Sequence, residues 1–262
     1  MLTLSFRLFR TPIRVTIWFW VFAALFGYMM GVTTLGGWQL FALWMVCEFV
    51  ASIVKEIGHV LAGQYFGYPG TVVLGGMSAQ AVGEYDRAER WQRIVIHAAG
   101  PIGGLWFYFV VYVVTHPIMS RLAMFGRAEE LVFWGLPFLA FLTLFWGLFN
   151  LLPMLPTDGG LVMQSALGYV FGKRDFLVAT IVSIVVAFSI AGYSLYKRSH
   201  PEAIYLGEIV RPLYHPDIRG NRFAAFDPDP LFFACLFGYY GVLNIIALFR
   251  KPKSSQPSIR VA

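Results

Sequence analysis

The stretch SIVKEIGHVLAG, Ser52 to Gly63, lies inside a long apolar run and carries Ser52, Lys55, Glu56 and His59 at spacings of three, one and three. A helix with His-Glu-x-x-His binds zinc through its two histidines and uses the intervening glutamate as a base. Here Lys55 stands at the first of those positions, with Glu56 and His59 at the other two. Glu48, four residues before Ser52, extends the same helical stripe.

The surroundings of that stretch are those of a membrane protein. Of 262 residues, 58% are apolar, 18% aromatic and only 13% charged, too few charges to coat a soluble globule of this length. A hydrocarbon core of about 30 Å needs about 20 mostly apolar residues per helix. Six stretches satisfy that: about 15–34, 38–62, 94–115, 131–152, 175–196 and 231–249. The sequence predicts an all-α polytopic membrane protein, one membrane domain over 1–262 whose motif-bearing core covers about 40–170. The first stretch is longer than a signal-peptide core and no small-residue cleavage site follows it, so it is expected to be retained.

With six spans and the N-terminus inside, twelve Lys or Arg fall in cytoplasmic segments and seven in outer ones, and Lys55 lies within a span. That asymmetry puts both termini in the cytoplasm, as in a bacterial-type inner or plasma membrane. The net charge of +6 then reflects orientation and anionic lipid, and no basic block suggests nucleic acid. Cys47 and Cys235 fall inside apolar spans and indicate neither a disulfide framework nor a cysteine metal site. On the cytoplasmic side, YPGTVVLGGMSAQAV within 64–91 combines a Pro-Gly turn, a β-branched run and a Gly pair, the pattern of a short β-hairpin. The outer loop 197–230 and the tail 250–262 carry no legible motif.

An ionisable residue at the centre of a span costs about 2.5 to 3.5 kcal/mol on insertion scales, so the stripe from Glu48 to His59 must face partners inside the bundle. A second polar feature ends the fourth span. In FNLLPMLPTDGG, Phe149 to Gly160, Asn150, Pro153 and Pro156 interrupt the helix, and Asp158 and two glycines follow. Both features lie toward the cytoplasmic ends of spans running in the same direction, which brings Asp158 within reach of Glu56 and His59.

Taken in order, KEIGH, the segment RAERWQRIVIHAAGPIGG, NLLPMLPTDGG and the Gly75–Gly76 hairpin resemble the site-2 protease family of intramembrane zinc metalloproteases. The resemblance implies that Glu56 is the general base, His59 and Asp158 are zinc ligands, and Asn150 is the polar residue beside the site. It also implies that the hairpin pairs with an unwound substrate segment. Family members cut transmembrane helices within the bilayer, releasing a regulator or clearing a signal-peptide remnant.

The departure is Lys55. A catalytic zinc site usually takes three protein ligands and an open position, and only two matched ligands remain. A lysine coordinates only as a neutral amine, so Lys55 is a poor third ligand. His97, just ahead of the Ala-Gly-Pro segment, is the other histidine near the cytoplasmic side. Alternatively the ammonium of Lys55 balances Asp158 or Glu48 in a buried ion pair. The expectation is therefore a pseudoprotease that binds transmembrane helical partners, in contact with lipid, without zinc-dependent cleavage. The alternative is an active zinc endopeptidase with a rearranged ligand set, and a small-solute transporter or structural membrane protein is a lesser reading.

Overall fold

The computed structural model describes residues 2–8, 11–76, 78–122, 127–200 and 230–249. The tail 250–262 and residues 201–229 of the loop 197–230 lie outside the described residues. Two strands open the chain, β1 (Thr3–Leu8) and β2 (Thr11–Thr16), followed by helices α1 (Ile17–Met29) and α2 (Val32–Tyr65). The hairpin expected within 64–91 forms as β3 (Gly70–Gly75) and β4 (Ser78–Gly83), turning at Gly76 with φ of 62°. Helices α3 (Arg90–Leu122), α4 (Arg127–Leu151), α5 (Asp158–Phe171), α6 (Asp175–Ser199) and α7 (Pro230–Phe249) complete the fold.

The N-terminal segment corrects the sequence reading, which began a span near residue 15 and placed no strand before it. TPIRVT alternates inward Ile13 and Val15 with outward Arg14, and the same alternation that makes a half-buried strand delays α1 to Ile17. β2 pairs antiparallel with β1 and parallel with β3, with Ile13 opposite Val72 and Val15 opposite Leu74. The sheet therefore runs β1-β2-β3-β4, leaving β4 at an edge. A parallel pair needs a long crossover, and here α1 and α2 together supply it. Ile13, Val15, Val72 and Leu74 bury their side chains against Phe19 of α1 and Ile53 and Val60 of α2.

Among the described residues, four runs are long and apolar enough to cross a membrane: Arg90–Val114, Trp134–Leu151, the Asp158–Ser199 run that contains α6, and Pro230–Phe249. α1 is apolar but only 13 residues long. α2 has the length, and it carries Glu48, Lys55 and Glu56 buried on its inner face. Trp106, Phe109, Val113, Val185 and Val242 project outward from α3, α6 and α7 as a lipid-facing surface would require. Inside, Trp44 of α2 is fully buried against Phe26 of α1 and Phe138 of α4, and its indole donates to the Ala23 carbonyl at 3.2 Å.

Candidate active site

The stripe read from the sequence is buried throughout, with Glu48, Ser52, Lys55, Glu56 and His59 all turned into the bundle. α2 can lie close to α3 because two glycines face each other there. A Cβ on Gly58 would come within 2.6 Å of the Ala99 carbonyl oxygen, and one on Gly100 would fall on the His59 imidazole. The Ala-Gly-Pro segment is thus a cradle for that ring. Ile96 of the same helix fixes its orientation, because His59 Nδ1 lies 2.7 Å from the Ile96 carbonyl oxygen. A carbonyl only accepts, so Nδ1 carries a proton and donates to it, leaving Nε2 turned toward the cleft.

Asp158 arrives from the other side. α4 ends at Leu151, and the prolines of LLPMLPTDGG prevent the helix from continuing. Thr157 caps α5, accepting from the Gly160 amide at 3.3 Å, so Asp158 is the first helical residue, where a carboxylate is favoured by the helix dipole. Two residues that the sequence reading passed over anchor this loop. Ser183 Oγ of α6 accepts from the Leu155 amide at 2.8 Å, and Asn244 Nδ2 of α7 donates to the Leu155 carbonyl at 2.6 Å. A lone asparagine in the apolar α7 run was the available signal.

Lys55 Nζ lies 2.6 Å from Glu56 Oε1 and 3.4 Å from Asp158 Oδ2, and His59 Nε2 lies 3.2 Å from the same Asp158 oxygen. Glu48, the other sequence candidate for pairing with Lys55, is elsewhere. Both its oxygens accept from Trp146 Nε1, at 2.9 and 3.0 Å, and Ser52 donates to it at 3.5 Å. Glu48 lies two helical turns, about 10 Å along the axis, from Lys55, and the lysine turns instead to Glu56 and Asp158. Nor does Glu56 point away from its neighbour, as side-chain directions along an ideal helix suggest. The flexible lysine stem bends back to it because both nearby carboxylates face the same cleft.

The sites converge on a cavity of about 420 Å³ lined by Lys55, Glu56, His59, His97, Asn150 and Asp158 together with Ala79, Gln80 and Ala81 of edge strand β4. Asn150 donates to the Trp146 carbonyl at 2.9 Å. Tyr85, unremarked in the sequence, also lines the cavity. Burial, and secondarily the Glu56 carboxylate, push its phenol up to about 12, so it stays a neutral donor. His97 sits one residue beyond Ile96, its ring centroid 6.4 Å from that of His59. His59, His97 and Asp158 each offer one ligand atom, all within 4.8 Å of one another.

With this geometry in hand, comparison with known proteins decides the relationship. The family model described as Peptidase family M50 matches residues 44–192, more than half of the chain. The chain belongs to peptidase family M50. The M50 match takes in KEIGH, the Ala-Gly-Pro segment and the Asp158 loop. The fold is also that of the Site-2 Protease from Methanocaldococcus jannaschii, at a TM-score of 0.53 and 19% identity, covering 98% of this chain and 99% of that one. No curated protein sequence matches the chain.

M50 peptidases are zinc-dependent, and the residues present fit such an ion. His59 Nε2 is buried 3.2 Å from an Asp158 carboxylate oxygen and close to a second imidazole. Nitrogen and carboxylate oxygen donors of this kind, with one side open to a cleft, are the composition of a catalytic zinc site.

Proposed function

We propose that this M50 protein is an intramembrane endopeptidase that takes an unwound segment of a transmembrane protein onto the edge of β4 and hydrolyses it beside Glu56. The observation that carries the reading is the cavity itself, whose lining joins Glu56, His59 and Asp158 to Ala79, Gln80 and Ala81 of β4, an edge strand among the described residues. Strand addition supplies main-chain hydrogen bonds to any extended peptide, and it consumes the backbone groups that a substrate exposes when it unwinds in a low-dielectric setting. His59 and Asp158 would hold zinc, which when bound would lower the pKa of a water to about 7 and polarise a carbonyl. Glu56 is the residue placed to take a proton from the attacking water, and Asn150 and Tyr85 offer donors along the cleft.

One observation favours a second reading. The 2.6 Å contact between Lys55 and Glu56 occupies the base with an ammonium ion, which suits a pseudoprotease that binds membrane segments and leaves them intact. The purified chain incubated in detergent with a single-span helical substrate separates the two. Cleavage that disappears with chelator and with Glu56→Gln supports the peptidase. Stable capture of the substrate with no cleavage, in a metal-loaded preparation, overturns it in favour of the pseudoprotease.

A further inference from the structure

We infer that the metal site of this chain is permuted between helices: His97 of α3 supplies the ligand that position 55 of α2 no longer provides, completing a set of His59, His97 and Asp158. The inference deepens the peptidase reading by naming the ligands, and it stands or falls on metal binding whether or not the chain cleaves.

Three observations converge on it. The ligand atoms of these three residues lie within 4.8 Å of one another. The backbone of α3 is already fitted to His59, through the Ile96 carbonyl on Nδ1 and the space left by Gly100. His97 follows Ile96 directly, so the element that orients the first imidazole also delivers the second. Lys55, by contrast, is engaged with two carboxylates as a cation, the protonation state in which an amine cannot coordinate. Two imidazoles and one carboxylate remain, a sufficient protein ligand count for a catalytic zinc site with an open position. The ammonium would keep its contact with Glu56, and its other contact is with Asp158, a member of the proposed set.

The test uses the full chain in detergent with zinc or cobalt ions as the probe. Zinc content after dialysis and the visible absorption of bound Co²⁺ report ligation without reference to cleavage. The wild type is expected to hold one equivalent. His97→Gln should weaken binding roughly 100-fold or more, since a metal ligand is lost, and Lys55→Met should leave one equivalent bound. Because His97→Gln could also disturb packing, the swap variant Lys55→His with His97→Gln provides the control. It should regain the metal with an altered Co²⁺ spectrum as the imidazole returns to α2. An unchanged affinity and spectrum in folded His97→Gln, or loss of metal in folded Lys55→Met, would overturn the assignment. Metal bound through His97 with no substrate cleavage would sink the peptidase reading and leave the ligand set intact.

Discussion

Lys55 of α2 and Asp158 at the start of α5 meet at 3.4 Å, with Glu56 completing a largely buried cluster of one cation and two carboxylates. Stranding a charge by removing one partner of a buried pair typically costs about 3 to 5 kcal/mol, whereas removing both partners costs much less. In metal-free protein, Lys55→Met and Asp158→Asn should each lower the thermal unfolding midpoint, and the double variant should be more stable than the sum of the two losses predicts. Strictly additive losses would mean that the pair carries no coupling.

The close approach of Gly100 to the His59 ring makes a second prediction. Gly100→Ala puts a methyl group where the imidazole lies, and overpacking of this kind costs about 1 to 3 kcal/mol. The ring must move off the Ile96 carbonyl, so metal affinity should fall while Lys55 and Glu56 remain in place. Retained zinc at wild-type affinity in this variant would show that the ring is not held where the structure has it.

Asn244 acts on Asp158 from a distance. Truncating it in Asn244→Ala removes a donor to the Leu155 carbonyl and leaves that buried oxygen without it, at about 1 to 3 kcal/mol. The loop that starts α5 should loosen, and supporting residues of this type usually change metal affinity by about 10 to 100-fold. Isothermal titration with zinc in the presence of a competing chelator measures it, and an affinity equal to wild type would separate Asn244 from the site.

The edge of β4 can be tested by removing its amides one at a time. Proline at Ala79, Gln80 or Ala81 deletes a backbone N–H, and successive amides alternate between β3 and the open edge. At least one variant should therefore stay folded and lose substrate binding, measured by cross-linking to a single-span peptide. Undiminished cross-linking in every folded variant would exclude strand addition at this edge.

The sequence was most legible where chemistry conflicts with lipid. Lys55, Glu56, His59 and Asp158 stand out because charges in an apolar run demand partners; helix depth put Asp158 within reach of the others, and the family resemblance named the residues that meet. The β3–β4 hairpin was equally legible from its Pro-Gly turn and β-branched run. β1 and β2 were hidden because TPIRVT merges into the apolar α1, so hydropathy averages a strand and a helix into one stretch. The pairing of Glu48 with Trp146 was also out of reach, since it depends on which way α4 faces. His97 was visible as a residue, but its distance to His59 depends on two glycines meeting across α2 and α3.

The shortness of α1 has a consequence for the surrounding lipid. Thirteen residues rise about 20 Å, against a hydrocarbon thickness of about 30 Å. Strand β2 at one end and the left-handed Gly31 at the other prevent its extension. A helix shorter than the bilayer is accommodated by local thinning of the membrane. Phe19 and Phe22 of α1 line a small cavity of about 50 Å³ that shares Lys55, Ala79, Asn150 and Tyr240 with the main cleft, so a thinned annulus would border the cleft. Water would then lie nearer the cleft than the mean bilayer thickness implies, and under the peptidase reading acyl chain length would become a control on turnover. Reconstitution in vesicles of progressively longer phospholipids should slow cleavage.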